Sequence, residues 1–128
     1  MTIQALVIDD NPANLDVLDR LLRREGVTPI PIAYPEHVWE ILDESGKIDV
    51  VFLDLEFPNN SGFDVVAALR ADSRLEGVPV VAYTVHTSEQ NEARLAGFHS
   101  FLGKPINVEM FPDHLRRILS GEHVWEVM

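Results

Sequence analysis

The sequence contains no cysteine among its 128 residues. Disulfide bridges, thiolate metal sites and cysteine nucleophiles are therefore excluded, and we expect a protein of the reducing cytoplasm. Every apolar run is far shorter than the ~20 residues that a membrane-spanning helix requires. Because the N-terminus leads directly into an apolar strand, we expect neither a signal peptide nor association with a membrane.

Positive charge is also scarce. The 10 lysine and arginine residues are outnumbered by 21 aspartate and glutamate residues, which gives a net charge of −11. A surface of this charge repels phosphate groups, so we expect no nucleic-acid partner. The hydrophobic fraction of 46% is enough for an ordinary globular core and excludes a disordered chain or a collagen-like repeat.

The chain has the length of one domain. We predict one folded domain over residues 1–121, followed by a short C-terminal tail over residues 122–128. The tail contains Val124 and Trp125 among charged residues. It is interpreted either as a frayed chain end or as a segment that docks onto the last helix or a neighbouring chain.

Short apolar runs alternate five times with helical patterns. The predicted strands are residues 3–8, 27–33, 48–53, 78–83 and 100–102. The predicted helices are residues 12–24, 35–46, 63–69, 88–96 and 107–119. Asn11 and Pro12 are a good N-cap and first helical residue. Pro112 lies one turn inside the last helix, so that helix either has an irregular first turn or begins later.

Strand–helix alternation with short links predicts a parallel sheet with helices on both faces. Pro29 and Pro31 cannot donate ladder hydrogen bonds, which places the second strand at an edge. The third strand is continuously apolar, which is typical of a central strand covered on both faces. We therefore predict an α/β, doubly wound (βα)5 sandwich with the second strand at an edge and the third at the centre.

Polar side chains follow four of the predicted strands at their carboxyl ends, where ligands bind in open α/β sheets. These are Asp9, Asp10, Asp54, Thr84 and Lys104. Two carboxylates about 4 Å apart repel by roughly 4 kcal/mol at an effective dielectric near 20. Three clustered carboxylates therefore require a cation or raised pKa values.

The donor types indicate which ligand would suit such a site. A set of oxygen ligands without histidine favours a hard divalent ion such as Mg²⁺. Lys104 supplies a compact positive charge for a phosphate oxygen, and Thr84 supplies a hydroxyl donor. The set predicts a phosphoryl group beside Mg²⁺, with a carboxylate available as the nucleophile.

This arrangement resembles the receiver domain of two-component response regulators over residues 3 to about 120. The motifs that carry the resemblance are the pair Asp9-Asp10, Asp54 followed by Pro58 and Gly62, Thr84 after Val-Pro-Val-Val-Ala-Tyr, and Lys104-Pro105. Each motif is weak alone, but all of them occur in order and each lies at a strand end. The resemblance implies a flavodoxin-like fold, with the five parallel strands in the order 2-1-3-4-5. The chain looks most similar to single-domain regulators of the cell-fate and chemotaxis type.

The resemblance implies a role for each acidic residue of the site. Asp54 would accept a phosphoryl group from a phosphohistidine on a sensor histidine kinase or a histidine phosphotransfer protein. Asp10 and Asp54 would bind Mg²⁺, Asp9 would do so directly or through water, and Glu56 would offer its backbone carbonyl. Lys104 would pair with a phosphoryl oxygen, next to a cis peptide bond.

The resemblance also implies a conformational switch. Thr84 would move toward the phosphoryl group, and Phe101 would turn inward into the space that it leaves. This shift would reshape the face formed by the fourth helix, fifth strand and fifth helix, where a downstream protein target docks. Such a protein catalyses only its own phosphorylation and dephosphorylation and is not an ordinary enzyme.

The sequence departs from the family pattern at a few positions. Val85 stands where a small residue is usual, and Phe101 replaces the commoner tyrosine. Glu56 and His86 occupy variable positions beside the site. The five histidines show no metal-ligand spacing and are interpreted as surface residues.

Other functions stay open at this point. One is a phosphorylation-independent interaction module, which the presence of all five strand-end residues disfavours. Another is a haloacid-dehalogenase-type phosphatase, which normally has a second carboxylate two residues after the nucleophile, then a threonine, and often a cap domain. Here the segment is Asp54-Leu55-Glu56-Phe57-Pro58, and no cap domain could fit. A flavodoxin-like cofactor carrier is a weaker alternative. The oligomeric state is open as well, a homodimer included.

Overall fold

The structure is a computed structural model that describes residues 2–57 and 61–126. Its strands are Ile3–Ile8 (β1), Val27–Ile32 (β2), Val50–Asp54 (β3), Val80–Thr84 (β4) and Ser100–Gly103 (β5). Its α-helices are Pro12–Arg24 (α1), Val38–Ser45 (α2), Gly62–Arg70 (α3), Gln90–Ala96 (α4) and Phe111–Leu119 (α5). Within the described ranges, none of the helices has the length and apolarity needed to cross a membrane.

The five strands form one parallel sheet in the order β2-β1-β3-β4-β5. This order confirms the predicted fold. β2, which carries Pro29 and Pro31, lies at an edge beside β1, and all residues of β3 are buried at the centre. All carboxyl ends therefore point to one edge of the sheet, which is where the polar residues of the sequence lie.

The two faces of the sheet bury separate apolar clusters, because successive strand residues point to opposite faces. Leu6 and Ile8 of β1 face the cluster that α2, α3 and α4 cover. Ala5 and Val7 face the cluster that α1 and α5 cover. The strands are thus packed on both faces, and this packing determines where the side chains at their carboxyl ends lie.

The predicted start of α1 is confirmed. The Asn11 side chain accepts hydrogen bonds from the backbone N–H groups of Ala13 and Asn14, and Pro12 is the first helical residue. This cap fixes the chain immediately after Asp9 and Asp10.

The prediction that the last helix extends from residue 107 was wrong, and α5 begins at Phe111. Pro112 then lies in the first turn, where its missing N–H has no helical partner to lose. The preceding residues form a separate turn, in which Asn107 accepts a hydrogen bond from the Met110 N–H through its side chain.

Other boundaries differ from the predictions by short shifts. β3 and β4 begin two residues later than predicted and include Asp54 and Thr84 as their last residues. The predicted helices at Pro35 and Ser88 begin as 3-10 turns, Pro35–His37 and Thr87–Glu89. Ile48 and Val78 are apolar residues that lie just before β3 and β4, so the apolar pattern does not show where these strands begin.

The C-terminal tail is not frayed over residues 122–126. The Phe101 N–H donates to the Val124 carbonyl, and the Glu126 N–H donates to the Phe101 carbonyl, at 2.8 and 2.9 Å. Val124 is buried in the cluster that α5 covers. The tail therefore docks onto β5 and α5, in agreement with the second of the two interpretations. The other tail residues, and Pro58 of the predicted motif, lie outside the described residues.

Candidate functional site

The carboxyl ends of the strands surround a cavity of ≈ 950 Å³. Its lining includes five of the predicted site residues, namely Asp10, Asp54, Glu56, Thr84 and Lys104. Asp9 lies beneath the cavity and is wholly buried. Asp9, Asp10 and Asp54 each offer a carboxylate oxygen within 4.8 Å of the others. The topology thus brings the predicted cluster together.

Lys104 lies between two of these acids. Its Nζ atom is 3.3 Å from Asp9 Oδ2 and 3.3 Å from Asp54 Oδ1. The side chain is 11% exposed, so solvent screens these contacts little. The Lys104–Pro105 peptide bond is cis, as the resemblance implies.

Asp9 is the most heavily hydrogen-bonded acid of the site. It accepts from the Tyr83 hydroxyl at 2.7 Å and from the Asn11 backbone N–H at 2.8 Å, in addition to Lys104. These three donors compensate for the burial of the carboxylate. Burial and the adjacent Asp9 charge raise the pKa of Tyr83, which keeps its hydroxyl protonated as a donor.

Tyr83 is a site residue that the sequence analysis missed. It precedes Thr84 on β4 and faces the opposite side of the sheet, so strand alternation assigns it to the core. The available signal was chemical, because a buried tyrosine hydroxyl near a strand end needs an acceptor and Asp9 lies nearby.

Asp54 is 6% exposed, and burial raises its pKa to about 6. The Lys104 ammonium opposes this effect, whereas the Asp9 carboxylate adds to it. The Glu56 backbone N–H donates to Asp54 Oδ1 at 3.3 Å and also favours the ionised form. At neutral pH the Asp54 carboxylate is therefore ionised and faces the cavity.

This raised pKa predicts a pH-dependent stability. Because the folded state binds the Asp54 proton more tightly than the unfolded chain, stability from this group falls as the pH rises from about 4 to about 6. Asp54→Asn removes the free-energy cost of keeping a buried carboxylate ionised. After allowance for solvent in the cavity, we expect this substitution to stabilise the metal-free protein by about 1–2 kcal/mol at neutral pH.

Urea unfolding of the wild type and Asp54→Asn across this pH range measures the effect. The excess stability of the variant should grow through the window and level off above it. Asp16→Asn, which changes an exposed acid on α1, is the matched control. An excess that is independent of pH would contradict the raised pKa.

Thr84 and Glu56 both contact His86. The Thr84 hydroxyl accepts a hydrogen bond from the His86 backbone N–H at 3.1 Å. The His86 ring pairs with the Glu56 carboxylate, and Glu89 lies close to both. Val85, which is 62% exposed, lines the mouth of the cavity.

The interpretation of all five histidines as surface residues was wrong for His114. This residue is buried on α5, with Nδ1 3.7 Å from a Glu126 carboxylate oxygen. The helical pattern of α5 did not show it because the contact is made by Glu126, which lies beyond the end of the helix.

Phe101 lies away from the cavity. It is wholly buried on β5, beside Ala82 of β4, and its ring stacks on Trp125 with centroids 5.9 Å apart. The structure therefore separates the predicted switch residue Phe101 from the cluster that contains Thr84.

The donor set of the cavity fits a hard divalent cation. The three carboxylates converge, and the Glu56 backbone carbonyl belongs to a residue that lines the same cavity. Oxygen ligands of this kind suit Mg²⁺, which retains waters in an open site. The Lys104 ammonium adds a group that can contact an anion.

Comparisons with known proteins agree with this geometry. The sequence model of the family described as response regulator receiver domain matches residues 5–116. The polar-differentiation response regulator DivK of Brucella ovis is 26% identical over 121 residues, which cover 93% of this chain and 98% of DivK. Protein RcaC of Microchaete diplosiphon is 30% identical over 124 residues, which cover 95% of this chain and 19% of RcaC.

Solved structures share the fold. The chemotaxis response regulator CheY4 of Vibrio cholerae superposes with a TM-score of 0.82 at 24% identity, covering 92% of this chain and 99% of CheY4. The receiver domain of the sensor histidine kinase PA1611 from Pseudomonas aeruginosa, solved with a magnesium ion in its active-site cleft, superposes with a TM-score of 0.77 at 24% identity. The superposition covers 94% of this chain and 96% of that domain.

The family match begins within β1, at Ala5, and includes the other four strands and every residue of the cavity named above. The matched residues 5–116 lie inside the predicted domain of residues 1–121. The boundary of that domain at residue 121 stays a prediction. Receiver domains are signalling modules and not ordinary enzymes. The recognition from sequence motifs is thereby confirmed, and the chain belongs to the response regulator receiver domain family of two-component signalling.

Proposed function

We propose that this receiver domain is a switch that accepts a phosphoryl group on Asp54 from a phosphohistidine donor. The observation that supports this most strongly is the position of Asp54, whose ionised carboxylate faces the cavity beside the Lys104 ammonium and two further carboxylates. The partners are a sensor histidine kinase or a histidine phosphotransfer protein upstream and a protein target downstream.

Asp10 and Asp54 are the residues that we assign to Mg²⁺ binding, with the Glu56 carbonyl as a further ligand. Asp9 contributes directly or through water, since its oxygens already accept the hydrogen bonds of Tyr83 and Asn11. The bound ion supplies positive charge that offsets the carboxylates and the entering phosphoryl oxygens. The magnesium ion in the PA1611 receiver domain supports this assignment.

The transfer itself requires an ionised and oriented nucleophile. An Asp54 carboxylate oxygen forms a bond to phosphorus while the bond from phosphorus to the donor imidazole nitrogen breaks, and that nitrogen keeps the electron pair. Lys104 compensates a developing negative charge on a phosphoryl oxygen. The Thr84 hydroxyl, which lines the same cavity, donates to another oxygen of the acyl phosphate.

Phosphorylation is transmitted to partners by a change in the protein surface away from the cavity. Thr84 moves toward the phosphoryl group, and the packing around Phe101 adjusts at the neighbouring strand, because β4 and β5 are paired from Val81 to Thr84. The face formed by α4, β5 and α5 then changes its affinity for the downstream target.

Intact-mass analysis after incubation with Mg²⁺ and acetyl phosphate tests the proposal. We expect the wild type to gain the mass of one phosphoryl group, and we expect a metal chelator to abolish the gain. Asp54→Asn should remain unmodified, whereas the surface control Asp16→Asn should be modified like the wild type.

Three outcomes would contradict the proposal. An adduct that persists in Asp54→Asn would assign the phosphoryl group to another residue. Absence of an adduct in the wild type, with unchanged binding of a partner, would favour a phosphorylation-independent module. Sustained turnover of a generic phosphate ester would indicate a phosphatase.

A further inference from the structure

The tail segment of residues 122–126, here called the strap, extends the sheet beyond β5. Trp125 pairs with Phe101 in a parallel bridge. The backbone of Phe101 donates to the Val124 carbonyl and accepts from the Glu126 N–H. The strap therefore occupies the exposed side of β5 as an added strand would, which is how sheet edges bind extended peptides.

The Trp125 side chain is held from two elements. Its ring stacks on the Phe101 ring of β5, with centroids 5.9 Å apart and an interplanar angle of 18°. The Arg94 guanidinium of α4 lies 4.2 Å from the Trp125 ring centroid. An aromatic ring placed between an apolar ring and a cation gains from both stacking and cation–π attraction.

The residues on either side of Trp125 also have defined partners. Val124 is buried, and its N–H donates to the Ser100 hydroxyl at 2.9 Å. The Glu126 carboxylate is 3.7 Å from Nδ1 of His114 on α5. Together these contacts define three adjacent positions, which take an apolar, an aromatic and an acidic side chain in that order.

We propose that the β5 edge between α4 and α5 is a binding site for an extended apolar–aromatic–acidic segment of a partner protein, and that the strap is its intramolecular competitor. The proposal rests on the proposed function in one respect only, namely that downstream targets bind at the face formed by α4, β5 and α5. The strap contacts themselves involve no phosphorylated group.

Charge and length support displacement of the strap. The Arg94 guanidinium lies against the Trp125 ring and His114 lies beside the Glu126 carboxylate, so a segment that brings an aromatic and an acidic side chain to these two positions is complementary to the site. The strap is only five residues long, so its local opening breaks few contacts. Its covalent link raises its local concentration, so a partner in trans binds more weakly than it would to the vacated site.

A peptide competition experiment on the full chain tests this inference. The probe is a dye-labelled, C-terminally amidated peptide with the sequence of residues 121–126, Gly-Glu-His-Val-Trp-Glu. We expect it to bind Trp125→Ala at least about tenfold more tightly than the wild type, because the variant loses the strap's main side-chain contact. A probe with alanine in place of tryptophan should not bind.

Hydrogen exchange supplies a second measurement. Exchange of the Phe101 and Glu126 amides should accelerate about tenfold in Trp125→Ala, while amides of α1 remain protected and show that the domain is folded. Arg94→Ala, which leaves Trp125 in place and alters an exposed side chain, should produce a smaller acceleration in the same direction.

Equal affinity of the probe for the wild type and Trp125→Ala would overturn the proposal, and so would unchanged exchange at Phe101. All measurements use protein without a phosphodonor. A protein that fails to accept a phosphoryl group but shows the expected competition would contradict the proposed function and leave the strap inference supported.

Discussion

Lys104→Met is expected to slow phosphorylation of Asp54 by acetyl phosphate at least about 100-fold, the typical effect of removing one preorganised charge or donor from a reacting oxygen. In the structure the Lys104 ammonium contacts Asp54 and Asp9 at equal distances of 3.3 Å. Methionine has a similar length and flexibility, so the substitution removes the charge with little change in volume.

The same substitution should shift the titration of Asp54. Lys104 lowers the pKa of this carboxyl, whereas burial and Asp9 raise it, with a net result of about 6. Without the ammonium the pKa rises further, and a smaller fraction of Asp54 is ionised at neutral pH. Asp54 carboxyl chemical shifts, followed by NMR against pH in the metal-free protein, measure this change directly.

The chain offers a close control, since Lys47 is its one other lysine. Lys47 is 78% exposed and pairs with Asp49 on the surface. Lys47→Met removes the same charge from the whole protein, so it should reproduce any long-range effect but neither the slow phosphorylation nor the shifted titration. Phosphorylation of Lys104→Met at the wild-type rate would contradict the role assigned to this residue.

The strand-end residues could be predicted because their positions follow from topology alone. In a parallel sheet every carboxyl end lies on the same edge, so Asp9, Asp54, Thr84 and Lys104 meet once the strands are located. Small errors in the strand boundaries, such as the later starts of β3 and β4, did not affect this result. In β3 and β4 the polar residue after the apolar run located the carboxyl end of the strand, whereas the apolar run did not locate its beginning.

What the sequence did not reveal depends on contacts between distant segments. Strand alternation assigns Tyr83 to the core, and its ring does lie there. Its hydroxyl nevertheless donates a hydrogen bond to Asp9 in the site. His114 and Trp125 are similar cases. The helical stripe of α5 gives no sign that Glu126 covers His114, and a terminal segment of five residues is too short to show a strand pattern.

Gly62 connects the fold to the site by a close approach of two backbones. The Gly62 N–H donates to the Leu55 carbonyl at 3.0 Å, which holds the start of α3 against the end of β3. A Cβ atom at Gly62 would lie 2.6 Å from the Asp54 carbonyl oxygen and 2.7 Å from Leu55 Cα. These are backbone atoms, so no side-chain rotation can relieve the overlap.

We therefore expect Gly62→Ala to destabilise the domain by about 3 kcal/mol or more, at the upper end of the cost of overpacking a buried site. Alanine would otherwise favour the helix by up to about 1 kcal/mol relative to glycine, so helix propensity predicts the opposite sign. Urea unfolding decides between the two effects. Because the added methyl group pushes against Asp54, the variant should also accept the phosphoryl group more slowly.

Gly26→Ala is the matched control for this prediction. Gly26 has φ +76, and an alanine methyl group there would have no neighbouring atom within 4 Å, so the substitution incurs backbone strain of about 1–2 kcal/mol without a collision. It lies beyond α1, far along the chain from Asp54, and should leave phosphorylation unchanged. If Gly62→Ala were as stable as the wild type, the α3 terminus would have to move freely relative to β3. Asp54 would then lose the rigid support on which its contact with Lys104 depends.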